Sequence, residues 1–423
     1  MERPVMTDIK IFPARALALP LAIPFALSTL AISTNTHAAE LRFDGFATFM
    51  VGQVLDDKEL VRAPDGGVTP FRGFDDQINY QSNNVFALQA RADLGDGLSA
   101  TAQIMAKGVD DYDAEFNWAY LSYDLNPEWT VSVGRFRIPF FMYSDSLDVG
   151  YSYHFVKPPF NTYDIGGFDT LNGVKLEWQT DIGVWTSRMT FLTGRSDTKL
   201  NIETQLEPAD GQIARAGLFA WNMNWDWLTL RAIYTRASLS MDLKNFLDIQ
   251  LASIPFSPKA MDAVYVDNDK AEFYGVGLQF DPGPYFIVAE STVLDIRDSL
   301  LQRPGQRSYI SAGARLGKFT PYFIVEHAES DYNEKSFKLL ANEATQAAMG
   351  QIPGLDYGTA FGLVRSELMP LFTATLNEQD AWSVGVRWDF HPSADLKIEY
   401  MTTNDNTNHV DPEAIAIAVD VIF

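Results

Sequence analysis

Eight basic residues fall on the polar face of segments whose opposite face is apolar, and such a face could attract anions. The set is Arg91, Lys107, Lys175, Arg188, Arg231, Arg315, Arg387 and Lys397. A confined wall of positive side chains raises the local concentration of anions. The alternative is that these residues pair with carboxylates of the same face and only hold the wall in shape. Those carboxylates are Asp93, Glu177, Asp389 and Glu399.

The composition gives little support to other kinds of chemistry. The 423 residues contain no cysteine and five scattered histidines, so we predict neither thiol chemistry nor a zinc site. Serines are plentiful, but no Gly-x-Ser-x-Gly elbow is present, so we predict no catalytic residue and no enzyme. No cofactor or metal is predicted. The formal net charge of −23 disfavours a nucleic-acid partner, which would need a basic surface.

Residues 1–38 have the features of a secretory signal peptide. Lys10 and Arg15 precede an apolar stretch at 16–32, and small residues lead up to Ala38. We predict export and cleavage after Ala38, with Ala39 as the alternative position; an uncleaved membrane anchor is the alternative to cleavage. No later apolar run is long enough for a membrane-spanning helix, so any membrane crossing in 39–423 must use strands.

From residue 40 onward, apolar and polar residues alternate with period two. In the segment 84–94, for example, Phe86, Leu88 and Leu94 share one face, while Gln89 and Arg91 lie on the other. Such segments are about ten residues long, which is the length of a tilted membrane strand. Aromatic residues recur in several of them, including Trp118, Tyr120 and Tyr123 in one strand. This recurrence is typical of the aromatic girdles of membrane barrels.

Sixteen such runs follow one another, joined by short and long connections in strict alternation. The runs lie near 40–54, 84–94, 98–107, 115–125, 129–138, 171–179, 184–193, 213–221, 227–239, 271–280, 285–295, 307–316, 319–329, 380–390, 394–402 and 413–423. An even strand number with brief turns at one end and long loops at the other is typical of an outer-membrane barrel. A β-sandwich gives no reason for this alternation.

The last run places Ile415, Ile417, Val419, Val421 and Phe423 on one face. An apolar face of this kind fits a barrel wall that faces lipid, although an edge strand of a soluble sandwich would also fit this stretch alone. With the alternating connections, the fold class is predicted as an all-β, up-and-down antiparallel transmembrane barrel of sixteen strands. The long segment 331–378 is expected to be an outer loop with a short helix.

Two motifs and the terminal residue resemble those of the Gram-negative trimeric porins. They are Leu41-Arg-Phe-Asp-Gly-Phe46 at the start, Gly-Arg-Phe-Arg-Ile-Pro-Phe at 134–140, and Phe423 at the end. The resemblance covers the whole of 39–423. It implies sixteen strands per protomer, a homotrimer, and Phe423 as the signal read by the barrel-assembly machinery. It also implies that the third outer loop, 139–170, folds into the barrel and narrows the pore.

Within that loop, the resemblance implies that Asp145 and Asp148 face basic residues of the wall. Lys157 and Asp164 are further candidates for the constriction. Arg135 and Arg137 present a difficulty, since simple alternation points both toward lipid. We expect a β-bulge at Gly134 to turn them toward the constriction; cover by the loop or by a second protomer is the alternative.

We therefore predict an outer-membrane porin, a water-filled channel through which small hydrophilic solutes diffuse, with a preference for anionic or carboxylate-bearing ones. Outer-membrane lipid and lipopolysaccharide are expected partners. The alternatives are a barrel that acts as an adhesin or receptor through its loops, a barrel hydrolase, and a soluble periplasmic β protein.

Overall fold

The computed structural model describes residues 40–56, 58, 60, 70–163, 167–200, 209–251, 256–297, 305–373 and 378–423. Sixteen antiparallel strands form one closed barrel, in which each strand pairs with its neighbours in sequence and β1 pairs with β16. The fold class predicted from the sequence is confirmed. The predicted signal peptide at 1–38 lies outside the described residues.

The strands range from nine to seventeen residues. Their bounds are β1 Glu40–Val54, β2 Val85–Gly95, β3 Leu98–Lys107, β4 Ala114–Asp124, β5 Trp129–Arg137, β6 Thr170–Ile182, β7 Trp185–Leu200, β8 Ala209–Trp225, β9 Leu228–Met241, β10 Val266–Phe280, β11 Tyr285–Ile296, β12 Gly305–Ala314, β13 Phe319–Ser330, β14 Glu378–His391, β15 Ala394–Asp405 and β16 Glu413–Ile422. The strands β7 and β8 extend further than their sequence patterns predicted, so the connection expected at 194–212 shortens to 201–208.

Connections at one end of the barrel are tight turns and those at the other end are mostly longer; we call these the turn end and the loop end. At the turn end, Asp96 and Gly97 lie between the paired residues Gly95 and Leu98, and both have positive φ angles, as a two-residue hairpin turn needs. At the loop end, 55–84, 138–169 and 331–377 are the longest connections. We call 55–84 the first loop and 138–169 the inner loop.

The two faces of the wall differ as the alternation predicted. On β16, Ile415 and Ile417 point outward and are exposed, whereas Ala416 and Ala418 point inward and are buried. The exposed outward residues of the other strands are also largely apolar, including Phe43, Phe323 and Val384. A closed sheet with an apolar outer face satisfies its backbone internally, as a hydrocarbon environment requires.

The seam between β1 and β16 extends to the last residue. The backbone N–H of Phe423 donates to the carbonyl of Gly45 at 3.0 Å, and the N–H of Gly45 donates back at 2.7 Å. A Cβ on Gly45 would lie 2.4 Å from the Phe423 ring, so only glycine lets the ring cover this strand. The seam between the first and last strands is therefore fixed by both backbone and side chain.

Among the described residues, five α-helices lie in the loops: α1 Phe160–Tyr163, α2 Lys244–Gln250, α3 Pro258–Asp262, α4 Glu334–Gln351 and α5 Tyr357–Thr373. The segment 331–378 thus holds two helices where one was expected. The helices α2 to α5 share an apolar cluster that includes Leu247, Ala260, Leu340 and Val364. None of the described helices is both long and apolar enough to cross a membrane.

Replacing Ile417 with Lys tests which face meets lipid. A lysine on the outer face near mid-strand should lower the free energy of unfolding by about 2–4 kcal/mol. Leu41→Lys, at the turn end of the same outer face, should cost only about 0–1 kcal/mol. Denaturant titration of protein folded into phospholipid vesicles measures both. Equal costs at the two positions would mean that this face is not in a membrane.

Candidate functional site

The inner loop leaves the wall at Arg137 and packs inside the barrel. Its aromatic residues meet the inward side chains of β8 to β13. Phe140 lies edge-on to Phe273 at 4.7 Å between ring centroids, and Phe141 lies 4.5 Å from Tyr163. The resulting buried cluster also contains Ile233, Val288, Tyr309 and Ile324. Burial of large apolar surfaces is the main force that draws this loop into the interior.

Buried carboxylates of the wall accept hydrogen bonds from the inner loop. Glu290 accepts from the backbone N–H of Met142 at 3.0 Å and from the hydroxyl of Tyr163 at 2.9 Å. Glu326 accepts from the N–H of Asn161 at 2.9 Å. In the same way, Glu399 accepts from the N–H of Val156 at 3.1 Å. A buried polar group needs a hydrogen-bond partner, so each of these carboxyl groups holds one point of the loop.

Three basic residues of the wall donate to carbonyls of the same loop. Arg231 donates to the carbonyl of Pro139. Arg387 donates to the carbonyls of Tyr151 at 2.7 Å and Tyr153 at 2.9 Å. Lys397, which is completely buried, donates to the carbonyl of Gly150 at 2.6 Å. These residues were predicted to line an open pore. The structure places them beneath the inner loop, where their charges hold its backbone.

The loop lies directly against the wall at Gly150. A Cβ there would lie 1.9 Å from Asp420 Oδ1 and 2.8 Å from Thr48 Oγ1. Asp420 in turn accepts from Lys397 at 2.9 Å and from Thr48 at 2.5 Å. This buried group of charges fixes the loop against the seam of the barrel, and only glycine fits the contact.

The loop also meets the wall through Asp148. Its carboxylate pairs with Arg137 and lies 3.4 Å from Lys107. Burial alone would raise the pKa of Asp148, but the two cations outweigh burial and lower the pKa below its usual value. Asp148 is therefore charged and held. The predicted meeting of a loop acid with basic wall residues takes the form of a closed ion pair at this point.

The bulge expected at Gly134 is absent. Pairing runs without a shift from Val133 to Arg137 against β6, and Gly134 instead has a φ of +146°. The nearby irregularity lies in β4, where Asn117 is the additional residue. Arg135 lies opposite Asn172 in the register of β5 with β6, and Asn172 is exposed. The Nε of Arg135 donates to the carbonyl of Asn117 at 3.3 Å.

Arg137 does reach the inner loop, but by another route. The pairing of β5 with β4 ends at Arg135, which frees the following residues to turn inward. The buried Arg137 guanidinium lies 5.7 Å from the centre of the Trp118 ring. Trp118 and Tyr120 share the inward side of β4, whereas Tyr123 on the other face is exposed, so only Tyr123 can belong to an outer girdle.

The inner loop covers the remaining predicted basic residues less. Lys175 pairs with Glu177 at 2.8 Å, and Arg188 donates to the neutral Gln179 at 2.7 Å. Arg315 lies in a turn, where it pairs with Asp281 at 2.6 Å. Among the described residues, no carboxylate lies within salt-bridge distance of Arg91, which is exposed.

Of the other predicted constriction residues, Asp145 is exposed on the inner loop and Asp164 lies outside the described residues. The ammonium of Lys157 donates to Asn83 Oδ1 at 2.6 Å and to the carbonyl of Arg72 at 3.0 Å. Burial, and then the charges of Arg72 and Lys107, lower the pKa of Lys157 to about 8.

The sequence analysis did not identify several candidate functional residues. The first loop also folds inward: Arg72 is buried and donates to Glu326 at 2.6 Å, while Phe74 packs against Gly52. Glu290 and Glu326 were not assigned to the inner face. A single carboxylate in the middle of an apolar strand, as in Phe-Ile-Val-Ala-Glu at 286–290, was the signal that could have identified them.

The histidines bear on the hydrolase alternative. His154 is buried against Ser311 at 2.6 Å; burial, and then the charges of Lys397, Arg387 and Arg315, lower its pKa well below the usual value, so it is neutral. His327 pairs with Asp380 at 2.8 Å and faces Glu329 at 3.7 Å. Both nitrogens of the His327 ring thus face carboxylates, which is not the arrangement of a base beside a nucleophile. Within the described part of the chain, no group of three or more His, Asp or Glu residues is placed to hold a metal ion.

Comparison with known proteins finds likeness in structure alone. No family model and no curated protein matches the sequence. The barrel is similar to OmpF of Salmonella typhi, solved in complex with daunomycin, with a TM-score of 0.53 and 11% identity over 91% of this chain and 98% of that one.

Two structures of OmpT, an outer membrane protein of Vibrio cholerae, are similar as well. A loop L8 deletion mutant has a TM-score of 0.52 and 11% identity over 91% of this chain and all of that one. The in-vitro folded trimer form has a TM-score of 0.50 and 10% identity over the same shares. The chain therefore has the sixteen-stranded barrel fold of bacterial porins, and the resemblance stated from the sequence is confirmed at the level of fold.

Replacing Arg137 with Met tests the ion pair that holds Asp148. The loss of one partner leaves a buried carboxylate poorly compensated, so the variant should lose about 3–5 kcal/mol of stability. The double variant Arg137→Met/Asp148→Leu should regain most of that loss, because an apolar pair can replace a buried ion pair. Denaturant unfolding in vesicles measures both. A double variant no more stable than the single one would contradict the pairing.

Proposed function

We propose that this porin-type barrel is a channel of the bacterial outer membrane through which small hydrophilic solutes diffuse passively. A barrel of sixteen strands is wide enough to enclose water, whereas a barrel of about eight strands is filled by its own side chains. Charged and polar residues on the inner face and apolar residues on the outer face support this proposal.

The observation that carries the proposal is the anchored inner loop. A barrel that served only to present its outer loops would not need a loop fixed to both sides of its own interior. Here the loop meets β9 through Arg231, β11 through Glu290 and β14 through Arg387, and it meets Arg137 on the other side. A loop held in this way sets the cross-section open to solutes.

Anion preference stays a prediction, and it now depends on fewer residues. Arg231, Arg387 and Lys397 hold the loop, while Lys107, Lys175 and Arg315 are paired with carboxylates. Arg91 and Arg188 are the two of the predicted set for which the described residues supply no carboxylate partner. We propose that, within this predicted set, these two residues contribute the preference for anionic solutes.

Location, assembly and export also belong to this proposal. The apolar outer face fits lipid, and the trimer form of the similar Vibrio protein supports a homotrimer. We propose that residues 1–38 are removed on export, that Phe423 is read by the barrel-assembly machinery, and that the loop end meets lipopolysaccharide. An adhesin or receptor remains the alternative, favoured by the helices α2 to α5, which form a separate apolar cluster in the loops.

Deletion of residues 144–150 tests the constriction. Removing this stretch takes away Asp145, Asp148 and the contact at Gly150, so single-channel conductance in planar bilayers should rise. A deletion of the same length at 350–356, where α4 meets α5, should leave conductance near the original value. Unchanged conductance in the 144–150 variant would place the constriction elsewhere, and no conductance in the original protein would favour the receptor alternative.

The double variant Arg91→Gln/Arg188→Gln tests ion selectivity. Its reversal potential in a potassium chloride gradient should shift toward cation preference, because two uncompensated positive charges are lost from the inner face. Lys338→Gln on the exposed surface of α4 is the control and should not shift the potential. A clear preference for cations in the original protein would overturn the anion prediction.

A further inference from the structure

We propose that a cavity between the first loop, the inner loop and the wall is a binding site for small organic carboxylates with an apolar or aromatic body. This inference rests on the proposed channel function and names its solute class. The cavity measures about 250 Å³, and its lining includes Thr48, Met50, Asn83, Tyr153 and Lys157.

The charge in this cavity comes from Lys157. Its ammonium has three N–H groups, and two are used by neutral acceptors, Asn83 Oδ1 at 2.6 Å and the carbonyl of Arg72 at 3.0 Å. Within the described part of the chain, no carboxylate lies within 4.0 Å of this nitrogen. A part-buried cation that lacks a counter-ion gains most from a ligand that brings one.

The other charged group of the lining does not cancel this cation. Asp148 is paired with Arg137, and Lys107 lies 3.4 Å from the same carboxylate. Its negative charge is thus compensated by two cations of the wall. The cavity therefore presents a net positive charge, which favours an anion over a neutral or cationic solute.

The rest of the lining is apolar or aromatic. It includes Met50, Val85, Leu147, Val156, Pro158 and the ring of Phe160. Such a lining accommodates an apolar body, while one or two polar groups fix its orientation. Sites for drug-sized ligands typically measure about 300–1,000 Å³, so this smaller cavity suits a smaller molecule.

Protonation of Lys157 makes binding depend on pH. The charged groups that face it are Arg72, already paired with Glu326, Lys107 on β3, and the compensated Asp148. Burial keeps the Tyr153 hydroxyl protonated by raising its pKa well above the usual value, and the same holds for Tyr163. With a pKa of about 8, Lys157 carries its positive charge at pH 7 and loses it as the pH rises through 8.

Benzoate is the probe, with benzyl alcohol and benzylamine as its neutral and cationic counterparts. In single-channel recordings at pH 7, benzoate should interrupt the current, and benzyl alcohol and benzylamine should do so at least tenfold more weakly. Raising the pH to 9 should weaken the effect of benzoate about tenfold, since one unit above the pKa leaves about a tenth of the lysine charged.

Three variants complete the test. Lys157→Met should weaken benzoate binding at least tenfold at pH 7. Lys157→Arg should keep binding at pH 9, because arginine stays charged. Lys338→Met on α4 should behave as the original protein. Equal interruption by benzylamine and benzoate, or unchanged benzoate affinity in Lys157→Met, would overturn the proposal.

Saturation-transfer NMR of benzoate with detergent-solubilised protein separates this proposal from the channel. It detects binding whether or not the protein conducts. A benzoate signal that is lost in Lys157→Met supports the site even if no current is observed, and in that case the channel proposal alone fails. Conductance without a benzoate signal overturns the carboxylate site and leaves the channel standing.

Discussion

A stretch of irregular chain inside a barrel must find partners for its backbone N–H and C=O groups, and the rest of this structure depends on how that is done. Regular pairing is not available to the inner loop, because the strands already pair with each other. Acidic and basic side chains of the wall supply these partners instead. Glu290, Glu326 and Glu399 accept from N–H groups of the loop. Arg387 and Lys397 donate to its carbonyls. The wall is thus polar where the loop is irregular.

This use of charge limits what the same residues can do for a solute. A lysine such as Lys397, buried and bonded to Gly150 and Asp420, exerts little force on an ion in water. The total number of basic residues on the inner face is therefore a poor guide to selectivity. What matters is which cations lack a carboxylate partner, and Lys157 differs from Lys397 in that respect.

The barrel was predictable from sequence because each strand carries its own signal. Alternation such as that of Ile415 and Ile417 against Ala416 and Ala418 marks the two faces of a strand locally, and its repetition over sixteen runs with alternating short and long connections identified the barrel. The role of Arg231 was not predictable in this way, since its partner Pro139 lies 92 positions away and nothing local marks the pair. The distortion near Arg135 was expected at Gly134 but lies at Asn117, because a bulge depends on both paired strands.

The seam between Gly45 and Phe423 has a consequence for the order of folding. The first strand has its second partner only when the last strand is in place, and the contacts that join them, such as that of Thr48 with Asp420, have a very large sequence separation, which makes them slow to form. Until then the sheet has two unpaired edge strands. Because such edges can pair with other chains, the protein needs protection from aggregation during that interval. Ring closure thus depends on β16, and a chain truncated before β16 would remain an open sheet.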